Sequence, residues 1–300
     1  MHEETQGGFT MMKKMKKTRR VFAALACGAL AVACVAALAG CGGSGSSSSS
    51  NSSSGSSSST STGSTSGTSS TTSGDYKLTT SGKLTVGVSA DYPPMESLNG
   101  DKVEGFDADL MTEIASRLGL SVEFKNQAFD TLVTAVAGGT GIDCAASSIT
   151  IDDERAKEVD FTTSYYDSNL AIVVLKNSGI TARDALSSAK VGAQSGTSGE
   201  AWVQENLKNA SYTPYQETPD LLQALRSGQI QAAVYDDPVA QMHVSGEYND
   251  CQVLETIATG EQYGIIVNKS NTALTEAMNK AMKEMESDGT MNTIRKKYGI

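Results

Sequence analysis

The chain has 300 residues, 24 Lys plus Arg against 34 Asp plus Glu, and a formal net charge of −10. Nucleic-acid binding draws much of its affinity from basic patches, and a polybasic membrane contact needs the same charge, so neither class is expected. Six of the cations (Lys13, Lys14, Lys16, Lys17, Arg19, Arg20) and two of the acids (Glu3, Glu4) precede Cys41, which leaves 32 acids against 18 bases in the remainder. Such an excess reads as a solvated acidic exterior.

The basic cluster leads into an apolar run from Val21 to Leu38, closed by the small residues Ala39 and Gly40. A charged start, an apolar centre and small residues before a cleavage point form a secretory signal. Residues Met1–Thr10 are unlike a signal start, so translation from Met11 or Met12 is an alternative. The ending Leu38-Ala39-Gly40-Cys41 resembles a bacterial lipobox. That resemblance implies removal of residues 1–40 and a lipidated Cys41 as the first mature residue, held extracytoplasmically on the cell membrane. An uncleaved membrane helix is the competing reading, because the run approaches the ~20 residues that spanning takes. Its alanines and Gly28 make it only weakly apolar.

Residues 41–75 are expected to be the lipidated cysteine and a disordered linker, since Gly42–Gly74 is Ser, Thr and Gly broken by a single Asn51. This composition cannot bury apolar surface. As a flexible coil it would span roughly 30 Å on average.

From about Asp75 the composition becomes that of a folded chain, long enough for one large domain or two small ones. Lys83–Ala90 alternates and reads as a strand. Asp107–Leu118 reads as a helix with Leu110, Met111, Ile114, Ala115 and Leu118 on one face, Asp107 as its cap and Gly119 as its stop. Ser121–Lys125 is a strand, Phe129–Val136 a short helix, Ile142–Ile149 a buried strand and Ala171–Leu175 another. The pattern repeats: strand Lys190–Ala193, helix from Gly196–Ser198 to Leu207, capped helix Thr218–Arg226, strand Ile230–Tyr235, helix Pro238–Val244, strand Gly264–Val267, and closing helices Asn271–Ser287 and Gly289–Tyr298. Alternation of strands and helices predicts an α/β architecture with largely parallel sheets. Two successive sets predict two lobes. Of the five cysteines, Cys27 and Cys34 leave with the signal. Cys144 is expected as a buried free thiol, and a disulfide with Cys251 stays open. His243 is expected as a satisfied or exposed surface residue on its helix.

The motifs Tyr92-Pro93-Pro94, Gly105-Phe106-Asp107-Ala108-Asp109-Leu110, Ala146-Ser147-Ser148-Ile149-Thr150-Ile151 with Glu154-Arg155, Val159-Asp160-Phe161 and Tyr165-Tyr166 fall in sequence. Val191-Gly192, Gly196-Thr197, Asp236 and Asp288-Gly289-Thr290 follow. Together they resemble the bacterial extracellular solute-binding proteins of family 3, which serve polar amino-acid ABC importers. The resemblance covers residues 80–300. It implies the type II periplasmic-binding-protein-like fold: lobe one over 76–164 and 264–300, lobe two over 170–258, hinge crossings at 165–169 and 259–263, and a ligand in the cleft that the lobes close upon.

The resemblance also implies a set of ligand-binding residues. Arg155 would grip the ligand carboxylate with two parallel hydrogen bonds. Ser148 and Thr150, two apart at a strand's C-terminal edge, would complete the polar shell, where open α/β sheets place ligands. Asp236 would hold the α-ammonium. Gly196, Thr197 and Ser198 open a helix whose free N–H groups favour an anion. Tyr92 and Phe129 would flank the ligand side chain. Ser89, Met95, Ser147, Gln194 and Tyr235 are further candidates. Many basic and amide amino-acid binders of the family carry an acid where this chain has Ser89, and Asp91 is out of register with it, which weakens a lysine, arginine or histidine reading and favours a neutral or polar ligand.

The expected partners are thus an amino acid and a membrane permease with its ATPase. No cofactor, metal or covalent chemistry is expected, and the protein is expected to be monomeric. Two alternatives share the fold: a ligand-sensing receptor domain, and a cyclohexadienyl-dehydratase-like enzyme, for which Glu96 or Asp91 would be the candidate acid.

Overall fold

The computed structural model describes residues 75–139 and 141–300. The signal segment, Cys41 with its lipidation, and nearly all of the expected linker lie outside the described residues. No helix among those described is long and apolar enough to cross a membrane.

Two five-stranded sheets organise the chain into two lobes. The first runs in the order Ser121–Asn126, Lys83–Val88, Cys144–Ala145, Ile266–Asn268, Val159–Phe161. The second runs Ser211–Tyr215, Lys190–Gln194, Ala232–Asp236, Tyr166–Leu175, Cys251–Tyr263. Both are mixed rather than largely parallel: in each, three strands pair in parallel and two join antiparallel. A small antiparallel sheet, Asp91–Tyr92, Glu96–Asn99 and Lys102–Glu104, packs at the start of lobe one. It follows from no sequence periodicity, since each strand has four residues or fewer.

The helix Phe106–Arg117 shows how the sequence fixes lobe one. Phe106, Leu110, Met111 and Ile114 lie on one stripe at helical spacing and are fully buried with Leu84, Val86 and Val88 of the central strand. Each such side chain contributes about 1.5–3 kcal/mol by leaving water. Asp107 is not the cap. The cap position is Gly105, at φ 131°, where an added Cβ would lie 2.8 Å from Glu96 Cα. Only glycine tolerates that conformation in that space. Asp107 is instead a buried acceptor behind the site.

Two long antiparallel strands, Tyr166–Leu175 and Cys251–Tyr263, tie the lobes together. They are regular partners from Tyr166↔Tyr263 to Leu175↔Cys251, with bulges between. The expected crossings 165–169 and 259–263 fall mostly in strands of the second sheet, and the links outside the strands, 162–165 and 264–265, are held by Thr162 N to Ile265 O and Tyr165 N to Tyr263 O, both at 3.0 Å. Tyr166 stacks on Tyr263 with centroids 5.6 Å apart, and Tyr165 meets both Tyr263 and Phe106. This aromatic column stiffens the joint.

Two thiols, Cys144 and Cys251, are free and buried, one in each sheet. His243 departs from the surface expectation. It is 8% exposed, wedged between the rings of Tyr235 and Tyr248, and burial pushes its pKa down. Its helix, Asp237–Ser245, turns this residue toward the second core rather than to water.

Candidate functional site

Between the lobes lies a narrow cavity. The ends of strands and starts of helices build it, where backbone polar groups lose their regular partners. Lobe one contributes Tyr92, Phe129, Ser147, Ser148, Thr150 and Arg155; lobe two contributes Gln194, Thr197, Ser198, Tyr235 and Asp236. Asp91 and Glu96, named from sequence only as candidate acids for the dehydratase alternative, share these walls, as do Leu170, Gly199 and Thr218, which the sequence does not reveal.

Arg155 begins a one-turn helix after the segment Thr150–Glu154. Its Nε faces Asp152 Oδ2 at 3.2 Å. Nη1 donates to Thr150 O at 2.6 Å and Nη2 crosses the cleft to Gly196 O at 2.8 Å. A guanidinium has five N–H donors, so one remains on each terminal nitrogen. The side chain is 12% exposed, stands 5.7 Å over the Phe129 ring, and burial lowers its pKa against the pull of Asp152, Asp236 and Glu261.

Ser148 sits at φ 51°, a left-handed conformation uncommon outside glycine. Two bonds hold the turn: Ser148 N donates to Asp107 Oδ2 at 2.8 Å, and Tyr165 Oη donates to the same oxygen at 3.0 Å. The turn breaks the expected strand 142–149, of which only Cys144–Ala145 pairs. It brings the buried Ser148 to the cavity wall, and its Oγ has no protein partner. An orphaned hydroxyl in a polar cavity is an open donor and acceptor. Such strain is typical of ligand sites.

Asp236 ends its strand and opens the next helix. The Tyr92 hydroxyl donates to its Oδ2 at 2.8 Å and accepts from its N–H at 3.1 Å. Burial raises its pKa to about 6, while hydrogen bonds from Tyr92 and Tyr263 and the Arg155 charge hold the rise down. Glu261, on the second crossing strand, is raised to about 7 by burial and by the Asp236 charge, and it accepts from Ser198 Oγ at 3.2 Å. A cation and two carboxyl groups thus share one polar cluster. Sequence reasoning missed Glu261 because its strand is polar and irregular; the adjoining Tyr263-Gly264 turn into lobe one was the available signal.

At the helix Ser198–Asn206, Thr197 Oγ1 is an ordinary N-cap, accepting from Glu200 N at 3.2 Å and donating to Gln194 O at 2.7 Å. Gly196 N donates to Glu200 Oε2 at 2.6 Å, so its N–H is not open to an anion. Gly196 instead serves through its carbonyl and through close approach: a Cβ there would meet Asp130 of the other lobe at 3.0 Å. Ser198 lies within 3.5 Å of Thr150 Oγ1 across the cleft.

Two candidates lie behind the wall. Ser89 donates to Asp91 Oδ1 at 3.0 Å and does not face the cavity. Met95 is core, 1% exposed. Met95 closes the turn after Tyr92, and the next residue, Glu96, which opens the strand, is the one that faces the cavity. Glu96 accepts from Ser147 Oγ at 2.8 Å and shares a hydrogen bond with Asp107. Burial and the Asp107 charge push Glu96 well above the carboxylate range.

Residues 84–300 match the family model described as bacterial extracellular solute-binding proteins, family 3. The arginine-binding extracellular protein ArtP of Bacillus subtilis (strain 168) is 33% identical over 220 residues, covering 72% of this chain and 86% of that protein. The L-cystine-binding protein TcyJ of Escherichia coli (strain K12) is 32% identical over 226 residues, covering 74% of this chain and 84% of that protein. A solved structure of an ancestral arginine-binding protein bound to glutamine superposes with a TM-score of 0.68 at 38% identity, covering 72% of this chain and 97% of that one. The chain belongs to the bacterial extracellular solute-binding proteins, family 3.

Proposed function

We infer that the chain captures an amino acid by its zwitterionic end in the interlobe cavity and delivers it to a membrane permease driven by an ATPase. The observation that carries this reading is the placement of Arg155 on one lobe and Asp236 on the other, facing one polar cluster with the unpartnered Ser148 hydroxyl in the same cavity. The two free guanidinium N–H groups suit a carboxylate. The carboxyl groups of Asp236 and Glu261 suit an ammonium. A ligand touching both lobes binds the closed form better than the open one, and that difference drives closure.

A neutral polar side chain fits the far end better than a cation. Asp91 is committed to three protein donors, and Glu96 is hydrogen-bonded to Asp107. Both acids named for a dehydratase are thereby occupied, which favours binding over catalysis. Anchoring through a lipidated Cys41, with residues 42–75 as a leash, completes the reading.

A thermal-shift screen of the full chain against the twenty amino acids and cystine tests it, because a ligand that binds only the folded state raises apparent stability. A shift with a neutral polar amino acid is expected. No shift with any of them overturns the reading; a shift confined to arginine and lysine overturns the choice of side chain.

A further inference from the structure

The helix Thr218–Arg226 of lobe two starts with an uncapped turn. Its own cap residue, Glu217, makes no side-chain bond, and Pro219 has no N–H. The first N–H groups of a helix have no intrahelical partner and carry the positive end of its dipole. The partner for Thr218 N comes from the other lobe: Asp91 Oδ2 accepts from it at 2.8 Å. The same oxygen accepts from Gln194 Nε2 at 3.0 Å. Gln194 is fixed in turn by Gln216 O at 2.9 Å and by the Thr218 hydroxyl at 3.2 Å. On lobe one, Ser89 Oγ orients the other carboxylate oxygen at 3.0 Å.

We propose that Asp91 is a latch between the lobes: a carboxylate of lobe one that caps a lobe-two helix and so favours the closed arrangement. Of its three protein donors one is on its own lobe and two are on the other, so it ties the lobes together. The alternative role for an acid at this wall is direct recognition of a cationic side chain. The bonding favours the latch, because turning Oδ2 away to a ligand cation would leave Thr218 N without a partner and the Gln194 amide with Gln216 O alone. A latch also explains the committed geometry of Gln194, whose amide positions Asp91. The role in ligand binding rests on the amino-acid reading above; the latch itself does not.

The test compares the full chain with its Asp91→Ala and Asp91→Asn variants, measuring equilibrium affinity and dissociation rate for arginine, glutamine and cystine, and hydrogen exchange at the Thr218 amide. Removing one charge-assisted pair of bonds is expected to weaken each ligand that binds by a common factor on the order of tenfold, through faster dissociation, with a smaller factor for Asp91→Asn. The Thr218 amide is expected to exchange faster in both variants, with or without ligand. A loss confined to arginine overturns the latch and makes Asp91 a ligand contact. Unchanged exchange at Thr218 overturns it as well. Should the wild type bind no amino acid, the proposed function fails, and exchange at Thr218 in the empty protein still decides the latch. Should Asp91→Ala not fold, Asp91→Asn carries both measurements.

Discussion

Tyr92 and Asp236 bond each other twice across the cleft, the phenol donating to Oδ2 at 2.8 Å and accepting from the aspartate N–H at 3.1 Å. One hydroxyl thus sets both the position and the acidity of the carboxyl group assigned to the ligand ammonium. Tyr92→Phe keeps the ring and removes both bonds. Since the Tyr92 bond lowers the Asp236 pKa, its loss should move that pKa upward. Amino-acid affinity at pH 7 should fall on the order of tenfold, and less at pH 8.5, where the carboxyl is ionised again. Equal losses at both pH values would show that the hydroxyl acts by geometry alone.

The wild type should show its own pH dependence with a definite sign. Asp236 is raised from 3.8 to about 6 and Glu261 from 4.5 to about 7. Raised carboxyl values favour the empty fold in acid: that contribution is full below pH about 4 and is lost as pH climbs through 6 to 7. A bound ammonium prefers the ionised carboxylates, so affinity should rise over the same interval. Binding near pH 6 should release protons, seen as a calorimetric enthalpy that depends on the buffer's ionisation heat. Affinity flat from pH 5 to 8 would remove both groups from the ammonium site.

In the proposed reading Arg155 serves ligand and closure together, because its Nη2 already reaches Gly196 O across the cleft. Arg155→Ala should cost about 3 kcal/mol of binding, roughly a hundredfold, by stranding a desolvated ligand carboxylate. Arg155→Lys keeps the charge and loses the fork, so it should recover little. Circular dichroism would confirm that each variant folds. Near-normal affinity in Arg155→Ala would place the carboxylate elsewhere.

The sequence shows the parts of this architecture that rest on local periodicity. Leu84, Val86 and Val88 alternate, and Leu110, Met111 and Ile114 recur at helical spacing, so both elements are legible without the fold. Arg155 and Asp236 were candidates only through the family resemblance; a charge run such as Asp152-Asp153-Glu154-Arg155 otherwise reads as solvated surface. What stayed hidden depends on pairing at a distance. Asp91 meets Thr218 N 127 residues away, and Glu261 reaches the site by a polar edge strand with bulges. Strand Ser211–Tyr215 was masked by Pro214, which an edge position tolerates. The choice between Met95 and Glu96 as the cavity-facing residue turned on a one-residue register that composition does not report.

Gly105→Ala probes the turn that carries Met95 and Glu96 to their two sides. At φ 131° a side chain is strained, and the new Cβ would lie 2.8 Å from Glu96 Cα. The cost should be about 2–4 kcal/mol, read as a lowered urea midpoint with an unchanged slope. A loss under about 0.5 kcal/mol would mean that the small sheet shifts freely and does not hold Glu96 in place.

Glu96 and Asp107 form the buried floor beneath the cavity. Glu96 Oε1 accepts from Ser147 Oγ, and Asp107 Oδ2 accepts from Ser148 N and Tyr165 Oη. The remaining oxygens, Glu96 Oε2 and Asp107 Oδ1, are buried without a donor from any other group, so the two carboxyl groups can pair only through a proton. One shared proton satisfies both, and burial with the neighbouring charge holds it on Glu96 far above the usual range. Glu96→Gln supplies a permanent donor of the same shape and should cost under about 1 kcal/mol, whereas Glu96→Ala strands Asp107 and should cost about 3 kcal/mol. The raised Glu96 value stabilises the fold at low pH and fails as pH rises through it, so the wild type should lose more stability than Glu96→Gln on the alkaline side, beyond the decline near pH 6 to 7 that Asp236 and Glu261 give both. Urea denaturation from pH 6 to 9 reads this directly. A glutamine variant as damaged as the alanine one, or a wild type with no alkaline decline beyond that of Glu96→Gln, would mean that the floor carries two charges and no shared proton.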